Sequence, residues 1–374
     1  MSHFTVMVAI DGVENGELQE HELKGLVNDK LAPFQENNMG DCPEDYLEFR
    51  NFEEEYLPEY ENDTREMLVG PDGSYYSTYG DKAGELKDEY IETLDEVISH
   101  RFEPYHRKKF KEFIEHKGYS YQEIPYNELF ETFEEYMQEY HGFNEKDEDM
   151  DAYGYWYNPN AMWDWYQIGG RWQGMLLVEE GKGIKGETSF MNDEEESPLP
   201  GFEYVDMAQV KNIRFNKMYE LSYERLADKY DEAFEEFPVT IDYNTNEVLE
   251  KYKEKEGEDA PLVSNDMKDD ERKKKLKEWA KTQDDIEKVD VKAGMRSLIY
   301  GIKPGTTKEQ HQETAALFTT YSVLTKDGEW VSKGDMGWFG MSANESEDWT
   351  EAYHENFINQ LNGEDYVVIV DCHI

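Results

Sequence analysis

The two ends of the chain constrain its fold most. Residues His3–Ile10 (HFTVMVAI) and the last segment, Tyr366–Ile374 (YVVIVDCHI), are dense in β-branched and apolar side chains. Asp11-Gly12 closes the first, and Asn362-Gly363-Glu364-Asp365 precedes the second, so turn chemistry bounds both runs. Both are expected to be buried strands. Terminal strands that neighbour each other in one sheet make a closed unit, with the rest of the chain inserted between them. The expected fold class is α+β: a mixed sheet formed in part by the N- and C-terminal strands, several amphipathic helices, and a charged middle insertion that is helical or poorly ordered.

Apolar residues at three- and four-residue spacings predict the helices. Leu86, Tyr90, Leu94 and Val97 mark one over 85–100, and Pro104 breaks the chain before a second beginning at Lys108. Leu129, Phe133, Tyr136 and Tyr140 predict a helix over 126–140, Leu221, Leu226, Tyr230 and Phe234 one over 219–237, and Trp349, Tyr353, Phe357 and Leu361 one over 347–361. Segments 182–200 and 251–281 carry many charges and few apolar residues, which predicts poor order or, in the second, an exposed helix laced with ion pairs. The expected division is an N-terminal α+β part over 1–181, a charged, helix-rich insertion over 182–290, and a strand-rich part over 291–374 that completes the core.

Charge then narrows the function classes. Among 374 residues, 86 Asp and Glu face 38 Lys and Arg, a formal net charge of -48. Phosphate backbones demand a basic surface, so direct nucleic-acid binding is not expected. The partners that suit the charge are a basic protein or a ligand held in a locally positive pocket. With 27 Tyr, 18 Phe and 8 Trp, the chain is too rich in rings for a disordered acidic tail. Two cysteines are too few for a disulfide framework. No apolar run approaches the ~20 residues needed to span a bilayer. A reducing cytoplasm and no membrane are expected.

Tyr153–Gly174 (YGYWYNPNAMWDWYQIGGRWQG) is the segment most able to carry chemistry. It gathers Trp163, Trp165, Tyr166 and Trp172 around Gly169-Gly170-Arg171. Paired glycines let a backbone approach a ligand, arginine suits a phosphate, and aromatics stack on a base. The same residues also read as a core plug, with a β-bulge at the glycines and Arg171 paired to nearby acid. Trp338, in the Gly334–Met341 segment after an expected hairpin at Asp327-Gly328, could close over a ligand or cap the core.

His3 and Thr5 lie two apart and share a strand face, as do Asp371 and His373. If the terminal strands are neighbours, His3, Asp371 and His373 converge into a group suited to acid–base chemistry or to a metal. His3-Phe4-Thr5 is similar to one copy of the His-x-Thr motif that two-histidine phosphoesterases carry twice. No second copy exists among the nine histidines. The chain has no G-x-x-x-x-G-K-[ST] loop, no G-x-G-x-x-G after a strand, no H-E-x-x-H, no C-x-x-C and no G-x-S-x-G, and no cofactor is expected.

Five segments spread over the whole length are unusual in combination: SHFTVMV at 2–8, LAPFQE at 31–36, NPNAMWDWYQIGGRWQG at 158–174, MGWFGM at 336–341 and VDCHI at 370–374. On these the chain resembles a family of uncharacterised bacteriophage and mobile-element proteins. About 182–290 has no counterpart in the resemblance. It implies a phage or mobile-element origin, hence a host cytoplasm, and brings no activity with it.

Three functional readings follow. The favoured one is a non-catalytic, counter-defence binding protein that sequesters a small nucleotide-like ligand between Trp163, Trp165, Tyr166, Gly169, Gly170, Arg171, Trp172 and Trp338. The second is an acidic mimic of nucleic acid that occupies a basic host protein. The third is a His- or metal-dependent phosphodiesterase or hydrolase using His3, Asp371 and His373.

Overall fold

A computed structural model describes residues 2–13, 16–94, 104–188, 199–257, 260–262, 268–337 and 341–374. By internal contacts the chain divides into two compact units, Met1–Gln35 with Met162–Ile374, and Glu36–Ala161. These boundaries differ from the expected ones at 181 and 290. The aromatic Tyr153–Gly174 segment is itself divided, between residues 161 and 162.

The first unit is built on an eight-stranded sheet: β1 (His3–Ile10), β2 (Trp165–Gly170), β3 (Gly183–Ile184), β4 (Glu187–Thr188), β5 (Met207–Gln209), β6 (Ser322–Leu324), β7 (Trp330–Ser332) and β8 (Tyr366–His373). The order is β4-β2-β8-β1-β6-β7. The terminal strands pair antiparallel along their whole length, from His3 opposite His373 to Ile10 opposite Tyr366. β1 runs parallel to β6 on its other side, so the sheet is mixed. Two strands share the second edge of β8: β2 pairs with Val370–His373 and β5 with Tyr366–Val368.

Side-chain alternation explains why both terminal strands read as continuous apolar runs. Phe4, Val6, Val8 and Ile10 of β1, with Tyr366, Val368, Val370 and Cys372 of β8, pack on the side of helix α1 (Glu20–Leu31). That helix presents Leu23, Val27 and Leu31, spaced four apart, to the same cluster. Met7, Val367 and Ile369 pack on the opposite side, against Trp349 and Tyr353 of helix α3 (Trp349–Asn356). Phe215, at the start of the long helix α2 (Phe215–Glu236), packs against this second cluster. A sheet covered on both faces needs apolar residues at every position, not every second one. Each such fully buried aliphatic side chain contributes about 1.5–3 kcal/mol relative to leaving it in water. The hairpin expected at Asp327-Gly328 joins β6 to β7, with Gly328 at φ +84°.

The charged middle has more structure than its composition predicted. β3, β4 and β5 belong to the main sheet, so 182–290 is not wholly an insertion. Farther on, helices Thr245–Glu256 and Asp269–Ala280 bury Val248, Tyr252, Leu276, Ala280 and Ile286 together. A few apolar residues at helical spacing suffice for this small core, although charges outnumber them locally. Of the 182–200 stretch, 189–198 lies outside the described residues.

In the second unit, strands Tyr75–Ser77, Thr64–Val69 and Ser120–Pro125 form a three-stranded sheet with Thr64–Val69 in the centre. Leu68, Leu86, Tyr90, Phe110 and Ile114 form its core with helices Asp81–Glu92 and Pro104–His116. Pro104 begins the second helix, where a missing N–H costs nothing. The helix expected over 126–140 is broken into Tyr126–Leu129, Phe133–Glu135 and a π-turn at Tyr136–Tyr140. The cause is local: Phe130 is extended, and the Thr132 hydroxyl caps a new start by accepting from the Glu135 amide at 3.1 Å. Among the described residues no helix is long and apolar enough to cross a membrane.

Candidate functional site

β2 ends in Gly169-Gly170, at φ +82° and +57°, a region that side-chain-bearing residues enter only with strain. The chain then reverses, with the Trp172 amide donating to the Gly169 carbonyl at 3.1 Å. Space imposes a second demand. A Cβ on Gly170 would lie 2.5 Å from the Cβ of Asp371, and one on Gly169 would lie 2.9 Å from Oδ2 of Asp206. The glycines therefore admit two buried carboxylates.

Each carboxylate holds part of the turn. Asp206 accepts from the Gly174 amide at 2.6 Å and from the Gly186 amide at 2.7 Å. Burial pushes its carboxyl above the ordinary range, while the two amide donors pull it back. Asp371, only 1% exposed, accepts from the Arg171 amide at 3.0 Å through Oδ2. Its other oxygen, Oδ1, accepts from Nδ1 of His3 at 2.8 Å.

The register of β1, β8 and β2 sets His3, His373 and Trp165 side by side on one face, with Thr5, Asp371 and Gln167 in the next row. The His3 and His373 rings meet edge to face, with centroids 4.9 Å apart and planes at 68°. His3 also meets Trp165 edge on at 6.1 Å. Nδ1 of His373 donates to Oδ1 of Asp164 at 2.5 Å, and the Asp164 amide donates to the His373 carbonyl at 2.9 Å. Each imidazole thus has its own carboxylate on Nδ1, which leaves Nε2 as the acceptor nitrogen of the neutral ring. The side chains of His3 and His373 are 17% and 13% exposed, so both remain within reach of a ligand.

Among the described residues the expected aromatic pocket is not assembled. Strand alternation turns Tyr166 to the face opposite Trp165. There it meets Trp163 edge on at 5.0 Å, and its hydroxyl donates to Asn28 Oδ1 at 3.1 Å. Trp163 precedes β2, where the chain bridges to Gln35, so it does not follow the strand's parity. It is buried beneath α1 and donates through Nε1 to the Leu31 carbonyl at 3.0 Å. Trp172 packs, half-buried, against the cluster on the other side of the sheet. Arg171 has an exposed side chain, Trp165 is 48% exposed, and Trp338 lies outside the described residues. Among the described residues expected to bind a ligand, Trp165 is exposed beside the histidines, and Arg171 is exposed with its amide on the carboxylate that holds His3.

His3, Asp371 and His373 do converge, as the terminal-strand argument expected. They do not do so as a metal centre: each carboxylate engages a single imidazole nitrogen, and among the described residues no group of three or more His, Cys, Asp or Glu is placed to hold a metal. Sequence reasoning missed Asp164 and Asp206. The Trp-Asp-Trp triplet in 163–165 was the only signal for the first, and nothing in the spacing of residues tied it to His373. Cys372, between Asp371 and His373 in sequence, is fully buried on the α1 side, where burial pushes its thiol far up.

No known family, characterised protein or solved structure matches this chain.

Proposed function

We propose that the first unit carries an acid–base site that hydrolyses a small phosphodiester. One observation carries this reading: two imidazoles in edge contact, each oriented through Nδ1 by its own carboxylate, with Asp371 behind His3 and Asp164 behind His373. A carboxylate on Nδ1 selects the tautomer and stabilises the imidazolium that forms during proton transfer.

In the reaction, Nε2 of the neutral imidazole takes a proton from water as the water oxygen bonds to phosphorus. The ester P–O bond breaks, and Nε2 of the other, protonated imidazole gives its proton to the leaving oxygen. A phosphomonoester and an alcohol result, and the two rings have exchanged protonation states. The Arg171 amide donates to Asp371, the carboxylate that orients His3, and in this reading its guanidinium is the group that would meet the phosphoryl oxygens. The sequestering reading loses support among the described residues, because Trp163 and Tyr166 pack into one core and Trp172 into another.

The test is turnover of a panel of linear and cyclic phosphodiesters by the full chain. His3→Ala and His373→Ala should each slow turnover about 10²–10⁴-fold, the usual contribution of a positioned proton-transfer group. Asp164→Asn should slow turnover as well, because the carboxylate on Nδ1 of His373 is lost. Tight binding without turnover, unaffected by either histidine change, would return the chain to the class of binding proteins.

A further inference from the structure

Resting on that reading, we infer that the phosphodiester bears an aromatic base, which stacks on Trp165 while its edge is read by Gln167. Of the described tryptophans, Trp165 is the most exposed, at 48%. Trp163, Tyr166 and Trp172 belong to the same short segment and are all committed to a core. Trp165 instead stands directly opposite His373 across the ladder, and its ring is 6.1 Å from that of His3. A planar π-face of this kind, left in water beside two proton-transfer groups, suits a flat ring system that carries the scissile phosphate on a short tether.

Gln167 lies two residues along β2 on the same face, opposite Asp371. Its Nε2 donates to Glu187 Oε2 at 2.9 Å, which fixes the direction of the amide and of its carbonyl oxygen. Stacking together with a held amide is the pairing by which proteins recognise unpaired bases: the ring supplies affinity and the amide reads the hydrogen-bonding edge. The acidic surface is compatible with this, because a single phosphodiester carries one charge, whereas a polymer presents many.

The experiment compares an adenylyl-adenosine dinucleotide with glycerophosphocholine, a phosphodiester without a base, using the full chain. The dinucleotide should show the lower KM. Trp165→Ala should raise that KM by about 5- to 150-fold, the equivalent of one lost base–aromatic stack, with a smaller effect on kcat. Trp165→Phe should restore most of the loss. Tyr79→Ala, a change at a fully exposed ring of the second unit, serves as the control that leaves both constants in place. If His3→Ala and His373→Ala abolish turnover while Trp165→Ala leaves the dinucleotide KM untouched, the base platform is wrong and the phosphodiester reading stands. If neither compound is cleaved, binding of AMP followed by tryptophan fluorescence decides. Quenching that disappears in Trp165→Ala supports the platform without the chemistry, and absence of binding overturns it.

Discussion

At Gly170 two constraints meet. Its φ of +57° is costly for a residue with a side chain, and the space a Cβ would need is taken by Asp371. Strain of the first kind is worth about 1–3 kcal/mol. The contact of 2.5 Å adds to it, because it involves the Cβ of a carboxylate already held by His3 and the Arg171 amide. Gly170→Ala should therefore lower the urea midpoint of the protein and also displace Asp371 from His3. A variant with unchanged stability and activity would show that the turn relaxes freely. Gly-Gly was legible in the sequence as a place of close approach. What approaches was not legible, since a ligand phosphate and two buried carboxylates make the same demand on the backbone.

At the scale of elements, β8 organises the first unit. It pairs with β1 along one edge and with β2 and β5 along the other, and both of its faces are buried. Ile369 is fully buried within it, on the side of Trp349 and Tyr353. Ile369→Ala should cost about 2–5 kcal/mol in urea unfolding, the usual range for such a truncation in a packed core. Ile374→Ala, at a residue 43% exposed just beyond the strand, should cost far less. Equal losses at the two positions would contradict the central place of β8. Alternation along β2, the neighbour of β8, sends Trp165 and Tyr166 to opposite faces, so these two are a cluster in sequence but not in space.

For the whole molecule the dominant quantity is the net charge of -48. Ion pairs offset a part of it, as where Lys326 bridges Asp11 at 3.3 Å and Asp365 at 2.7 Å. Burial and the Lys326 ammonium act in opposite directions on Asp365, and its carboxyl ends below the ordinary range. The remaining carboxylates repel one another and lower the stability of the compact state. Raising ionic strength from about 0.01 M to 0.15 M shortens the screening length from about 30 Å to about 8 Å. The melting temperature should rise over that interval. A flat or falling Tm would mean that paired charges, lost on screening, matter more than the unpaired excess.

The sequence by itself determined that both ends are strands, and that His3 with Thr5, and Asp371 with His373, each share a strand face. Those conclusions follow from local quantities, namely apolar runs, turn residues and a period of two. That the two strands pair is shown by the tertiary structure. The tertiary structure alone decided which carboxylate serves which histidine and which aromatic ring stays in solvent. Asp164 reaches His373 because β2 lies beside β8 in one particular register. Trp163 leaves the surface because α1 covers it. Register and coverage arise from pairings between residues far apart in the chain, 209 positions for Asp164 and His373 and 132 for Trp163 and Leu31, and no local pattern encodes them.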